Sequence, residues 1–166
     1  MLNILIRWLV FVHVLAAITF FLAHGTSAAM AFQVRKETDF ARIRAMLDLS
    51  GSTMILMAVS FLIMGLTGIG LPFLIHIWNK VYIWLSIVLM LFSFIYMIMF
   101  NETHFKQVRR LVGLPYMKGN KELPAEPPAS PEEVVRLLNK TSVTSLVVVG
   151  YVIPVVVLWL MIFKPF

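Results

Sequence analysis

Cysteine is absent from the sequence, and charged residues are scarce. Without a thiol the chain forms no disulfide, offers no thiolate nucleophile and binds no iron–sulfur cluster or covalent haem through cysteine. Only 13% of its 166 residues are charged, whereas soluble domains carry about 25%. Because 60% of the residues are hydrophobic, a soluble fold would lack a polar surface. The composition therefore predicts one integral membrane domain over residues 1–166.

The motifs of common enzyme and transporter classes are missing as well. The sequence has no Gly-rich phosphate loop, no His-Glu-x-x-His zinc motif and no nucleophile elbow. No Asp, Glu, Lys or Arg lies deep in a long apolar run, whereas proton pumps and cation transporters usually need buried carboxylates. These absences favour a protein that is not an enzyme.

Four apolar runs are long enough to cross a bilayer, which takes about 20 residues of helix. They cover residues 4–32, 52–75, 81–100 and 143–163. Backbone polar groups in lipid must be satisfied within each span, and the runs do not alternate as barrel strands do, so helices are expected. The first run is far longer than the apolar part of a signal peptide, so we expect it to be a span. The fold class predicted is an all-α, four-transmembrane-helix bundle.

Basic residues are divided unevenly between the two sides of these spans. Residues 33–50 and 101–141 contain all 14 Lys and Arg residues except Arg7, Lys80 and Lys164, together with all eight Asp and Glu residues. Because Lys and Arg are enriched in cytoplasmic loops, both segments are predicted to be cytoplasmic and both termini to lie outside. The tryptophans fall at the predicted outer ends of spans, where an aromatic belt is expected. They are Trp8, Trp78, Trp84 and Trp159.

The net charge of +6 has the same origin. It marks the cytoplasmic side of a membrane protein and not a nucleic-acid partner. The expected partner is the lipid bilayer, and the expected location is the cytoplasmic (inner) membrane of a bacterium.

The first cytoplasmic loop is predicted to contain a short amphipathic helix. Thr38 or Asp39 can cap its start. Apolar residues then recur at helical spacing, at Phe40, Ile43, Met46 and Leu47. We expect this helix to lie along the membrane surface, with Arg42 and Arg44 near anionic headgroups.

The second cytoplasmic loop begins as a linker and ends as a helix. Residues 123–130 are rich in proline and should be extended. Ser130, Pro131 and the acidic pair that follows are typical of a helix start. This helix should lead into the fourth span.

Histidines are the polar residues that stand out. His13 and His24 are eleven residues apart and share one face of the first span. His76 lies just beyond the outer end of the second span, and His104 just beyond the inner end of the third. An outer pair His13/His76 and an inner pair His24/His104 would suit the axial ligands of haem b. The alternative is that His13 and His24 hydrogen-bond to a neighbouring helix, while His76 and His104 are interfacial.

Methionine gives a second candidate site. Met57 and Met64 share a face of the second span, and Met90 and Met97 share a face of the third. Thioethers together with imidazoles suit Cu(I), although methionine is also a common apolar filler.

Small residues give a third interpretation. Residues 25–29 in the first span and the glycines Gly65, Gly68 and Gly70 in the second permit close helix contact. They favour a tight bundle and docking to another membrane subunit.

Two stretches carry a resemblance to a known family. Trp8 to Ala29, with His13 and the run His24-Gly25-Thr-Ser-Ala-Ala29, and then Arg42 to Gly51, resemble a bacterial family of predicted integral membrane proteins without assigned function. That family is similar to the membrane domain of copper-resistance protein D. The likeness covers mostly residues 5–70 and the four-span layout. It implies copper handling, and haem b in the wider four-helix group, with His13 and His24 as the positions of interest.

Three functions follow from these patterns. The first is a non-catalytic accessory subunit, or a small membrane protein of unassigned role, that docks to other membrane subunits. The second is a haem-b-binding protein that transfers electrons across the membrane through His13, His24, His76 and His104. The third is copper transport or tolerance.

Overall fold

The computed structural model describes residues 1–119, 121–140 and 143–166. Helix α1 spans Leu2–Gln33, α2 spans Phe40–Leu74 and α3 spans Val81–Thr103. The last span is made of α6 (Val143–Val147), a π-helical segment (Val148–Val152) and α7 (Ile153–Phe163). Within these described ranges, four helical stretches are long and apolar enough to cross a membrane. The prediction of a helical protein with four such stretches is confirmed.

Helices α1 and α2 are longer than a bilayer requires. They contain 32 and 35 residues, which corresponds to about 48 and 52 Å, against a hydrocarbon core of about 30 Å. A 3-10 turn at Val34–Lys36 joins them, and they pack along each other. We call the end of the helices that carries residues 33–50 and 101–140 the basic end.

The prediction of a separate surface helix in the first loop is wrong. Residues 40–50 form the first turns of α2 and run without a break into the second span. Asp39 caps this start as predicted, because its Oδ1 accepts from the Ala41 amide at 2.8 Å. Arg44 contacts protein, since its Nε donates to the Val112 carbonyl at 2.6 Å. The apolar face of this part of α2 is covered by protein.

That cover is an apolar core at the basic end. Helices α4 (Phe105–Leu111) and α5 (Pro131–Lys140) pack against the ends of α1 and α2. The buried members come from these four helices, from the turn that joins the first two and from the residue after α4. They are Met30, Val34, Ile43, Leu47, Val108, Val112, Val134 and Leu138. Burial of these side chains stabilises a folded unit at the basic end.

A short hairpin lies within the second loop, where no strand was predicted. Strands β1 (Tyr116–Lys118) and β2 (Lys121–Leu123) pair antiparallel. Gly119 has a φ of +60°, which glycine adopts without strain. Strands of three residues leave too little alternation in the sequence to be recognised.

The proline-rich linker after the hairpin has no regular secondary structure over residues 124–130, as predicted. It is nevertheless fixed to α4. The Ala129 amide donates to the Leu111 carbonyl at 2.8 Å, and Arg110 Nε donates to Glu126 Oε2 at 2.8 Å. Tyr116 also donates its hydroxyl to Glu126, and these two hydrogen bonds lower the pKa of the Glu126 carboxyl.

Ser130 caps α5 as predicted. Its hydroxyl oxygen accepts from the Glu133 amide at 3.3 Å, and Pro131 occupies the first helical position. The acidic residues Glu132 and Glu133 lie in the first turn, near the positive end of the helix dipole.

At the opposite end, α3 packs against α7. Tyr82, Ile83 and Leu160 form a buried apolar cluster there. Trp84 Nε1 donates to the Trp78 carbonyl at 2.9 Å. Two further tryptophan positions of the predicted belt, Trp8 and Trp159, are about half exposed.

Candidate functional site

His13 lies between α1 and α2 and is fixed by two oxygen atoms of α2. Its Nδ1 is 2.9 Å from the Thr67 hydroxyl oxygen and 3.0 Å from the Met64 carbonyl oxygen. A carbonyl only accepts, so Nδ1 carries a hydrogen, and in the neutral ring the lone pair is on Nε2. Gly68 makes this approach possible, because an added Cβ would lie 3.0 Å from Cε1 of His13.

His24 is almost fully buried, with 8% of its surface exposed. Phe20, one turn earlier on α1, lies parallel to its ring at a centroid distance of 5.8 Å. Tyr151 from the π-helical segment lies 5.4 Å away. The imidazole lies directly against the backbone of Gly150. A Cβ added to Gly150 would be 2.5 Å from Nε2 of His24, so only glycine fits at this position.

The π-helical segment is the irregular part of the last span. A π-helix shifts the pattern of backbone hydrogen bonds and leaves carbonyl groups for other partners. Ser93 of α3 donates its hydroxyl to the Val149 carbonyl at 3.0 Å, while the ring of His24 of α1 lies against Gly150. Met97 follows Ser93 by one turn, and its methyl would lie 2.7 Å from a Cβ on Gly150. Side chains from α1 and α3 therefore meet the backbone of the last span at Gly150.

A third polar contact lies nearer the basic end. Ser50 of α2 donates to the Ser27 hydroxyl oxygen of α1 at 3.1 Å, and Ser27 and Thr53 are 3.3 Å apart. These small hydroxyl residues link α1 to α2 at close range.

The prediction that His13 and His24 face protein is confirmed by these contacts. His13 contacts α2 instead of the predicted partner His76, and His24 contacts the last span instead of the predicted partner His104. His76 is exposed in the turn after α2, with a φ of +55°. It lies beyond Leu74, which is itself about 10 Å further along α2 than Thr67. His104 is the N-cap residue of α4 and is partly buried.

The described residues form no group of three or more His, Cys, Asp or Glu side chains that could hold a metal ion. His24 does not fit a haem iron in this arrangement. Its Nε2 is directed at Gly150, and the rings of Phe20 and Tyr151 flank it, which leaves no slot for a macrocycle. His13 meets one requirement of a ligand, since its Nδ1 donates to a carbonyl and its Nε2 keeps the lone pair.

Sequence reasoning found both histidines of the first span but missed the residues that they contact. Thr67 and Gly150 are residue types that are common in transmembrane helices. No motif in the sequence links either of them to His13 or His24. The signal that was available is the pair Gly150 and Pro154 inside one span, since such residues often mark a helix irregularity.

Comparisons with family models, with curated proteins and with solved structures find no match to this chain. The contacts between the helices are therefore the basis for proposing a function.

Proposed function

We propose that the chain is a non-catalytic accessory subunit of a larger assembly in the cytoplasmic membrane of a bacterium. In this proposal the four spans form a bundle, the basic end is cytoplasmic and both termini lie outside. Four long apolar helices and the concentration of Lys and Arg at one end support this placement. The residues of interest within the spans make contacts between helices, as expected of a protein whose interior has a structural role.

The open surroundings of Gly65 are the main support for docking to another membrane protein. This glycine lies in the middle of the α2 span, and no atom lies within 4 Å of a Cβ added there. A glycine inside a helix costs about 1 kcal/mol relative to alanine, and no contact within this chain requires it. Ala58 and Gly65 are seven residues apart and share a face of α2, flanked by the exposed Leu62. Small residues on an outward face let a second helix approach closely.

The experiment is native mass spectrometry of the protein purified from its own membrane in mild detergent. We expect a defined complex with another membrane protein, and Gly65→Leu should release it. Ala29→Leu is the matched control, because Ala29 is a small exposed residue on α1, away from this face. A lone monomer or homodimer from the native membrane, or equal retention of the partner by both variants, would contradict the proposal.

Copper transport or tolerance is a second candidate, favoured by the meeting of His24 and Met97 at Gly150. Imidazole and thioether are ligands that Cu(I) accepts, and the resemblance to the copper-resistance family points the same way. A single ion needs far less space than a macrocycle, and it would lie where the His24 ring now meets the Gly150 backbone. Metal analysis after copper loading should show bound copper that is lost in Met97→Leu and retained in Met99→Leu, since Met99 is exposed. Copper binding that is equal in both variants would exclude this site.

The sequence also suggested haem b ligated by His13, His24, His76 and His104, and binding of haem at His24 would require the surroundings of its ring to rearrange. An absorption spectrum of the purified protein tests it. A Soret band lost in His24→Ala would support haem, and it would show that the last span moves away from His24. A colourless protein isolated from its own membrane would exclude it.

A further inference from the structure

A groove of about 580 Å³ opens at the basic end, where the apolar spans meet the charged segments. Its volume is in the range of small-ligand sites, about 300–1,000 Å³. Residues of α1, α2, α3, α4 and the hairpin line it. Asp48 lines the groove and is the last charged residue before the α2 span. Lys106 also lines it and is the first basic residue after the α3 span. The groove therefore lies at the level of lipid headgroups in the proposed bundle.

The charged groups of this groove balance each other. Lys106 and Arg109 are three residues apart on α4 and lie on the same face. Asp48 and Glu122 contribute two carboxylates. Among the lining side chains that the structure describes, two cations and two anions sum to zero, so this lining is complementary to a zwitterion more than to an anion.

The position of Arg109 in the groove is fixed. Its Nη1 donates to Asp48 Oδ1 at 3.0 Å and to the Leu47 carbonyl at 3.3 Å, and its Nε donates to the Pro115 carbonyl at 3.1 Å. The guanidinium thus joins α2, α4 and the segment before the hairpin. A preorganised cation of this kind needs no reordering when a ligand binds.

The remaining lining is apolar. Its apolar side chains are Met30, Met54 and Ile98, which lie near the ends of the apolar spans, and Phe105 at the start of α4. A ligand that suits the groove is therefore an amphiphile, with an apolar part toward the spans and a charged part toward Lys106 and Glu122.

We propose that this groove binds a phospholipid whose headgroup bears both a phosphate and a primary ammonium group. The phosphate lies near Lys106 and Arg109, which donate to its oxygen atoms. The ammonium lies near Glu122, and the upper parts of the acyl chains lie against the methionines and Phe105. This lipid site is independent of the proposed docking face on α2.

The test is native mass spectrometry of delipidated full-length protein in detergent, with phosphatidylethanolamine, phosphatidylglycerol and phosphatidylcholine of identical acyl chains. We expect phosphatidylethanolamine to be retained about fivefold more than either of the others, the ratio that one partly exposed ion pair supplies. Glu122→Gln should reduce its advantage over phosphatidylglycerol by about the same factor, because the groove then carries a net positive charge.

Lys106→Gln should weaken retention of all three lipids by about fivefold, since it removes a phosphate partner. Lys121→Gln is the matched control: it removes one exposed positive charge next to Glu122, on the opposite side of the strand. Equal retention of the three lipids, or identical behaviour of Lys106→Gln and Lys121→Gln, would overturn the proposal. If Lys106→Gln does not fold, the loss of preference for phosphatidylethanolamine in Glu122→Gln tests the proposed headgroup by itself.

Discussion

At the scale of single residues, the structure assigns the buried polar side chains to contacts between helices. His13 meets Thr67 of α2, and Ser93 meets the carbonyl of Val149. A neutral imidazole left without a partner in hydrocarbon would cost several kcal/mol, so these contacts also explain why the histidines are tolerated in the spans. The residues flanking His24 leave it no room to turn toward lipid.

Thr67→Val tests the contact at His13. The substitution removes the hydroxyl and keeps the shape of the side chain, so the free energy of unfolding in detergent should fall by about 0.6–2 kcal/mol. Thr26→Val is the control, because the Thr26 hydroxyl bonds only to the Leu22 carbonyl of its own helix. An equal effect of the two variants, measured by thermal unfolding, would show that the interhelical bond contributes nothing.

Gly150→Ala tests the close contact at the π-helical segment. The new methyl would lie 2.5 Å from Nε2 of His24, and overpacking of this kind costs about 1–3 kcal/mol. Gly70→Ala, where nothing lies within 4 Å, should leave stability unchanged or raise it by up to about 1 kcal/mol. Thermal unfolding of both variants in one detergent makes the comparison. A Gly150→Ala protein as stable as the parent would mean that His24 does not contact this backbone.

At the scale of elements, the main feature is that α2 extends beyond its span and joins a folded unit at the basic end. The apolar spacing of Phe40, Ile43 and Leu47 correctly predicted a helix. The predicted contact of its apolar face was the membrane surface, whereas in the structure this face packs against protein. An amphipathic pattern is the same whether lipid or protein covers it. The sequence showed no signal for that choice, because the covering residues Val108, Val112 and Val134 are more than sixty positions away.

Glu126 gives this unit a dependence on pH. Hydrogen bonds from Tyr116 and Arg110 hold the pKa of its carboxyl below the ordinary value. A lowered pKa means that its stabilisation is present above the pKa of the unfolded chain and is lost as pH falls through the folded value. The protection of the backbone amides of Arg110, Leu111 and Ala129 against hydrogen exchange, relative to the unfolded chain at the same pH, should therefore fall on acidification. In Glu126→Gln this pH-dependent loss of protection should be absent; the same loss in that variant as in the parent would contradict the assignment.

At the scale of the whole molecule, the elements with strong periodicity or long apolar runs could be predicted, and the contacts between them could not. Helices α1 and α3 and the last span lie within a few residues of their predicted limits, whereas α2 begins twelve residues earlier, at Phe40 instead of residue 52; the caps at Asp39 and Ser130 are as predicted. The hairpin, the π-helical segment and the groove all depend on long-range packing. His13 and His24 could be identified because an ionisable ring is rare in an apolar run, whereas Thr67 and Gly150 are common residue types in such helices.

The most direct test of the central claim, a four-span protein with its basic end in the cytoplasm, is labelling of single cysteines in intact cells. The parent has no cysteine, so each introduced thiol reports one position. Asn79→Cys lies in the exposed turn between α2 and α3, and Glu132→Cys lies at the exposed start of α5. An impermeant thiol reagent should modify Asn79→Cys at once and modify Glu132→Cys only after the cells are opened. Labelling of Glu132→Cys but not Asn79→Cys in intact cells would reverse the orientation, and labelling of both would contradict the membrane topology.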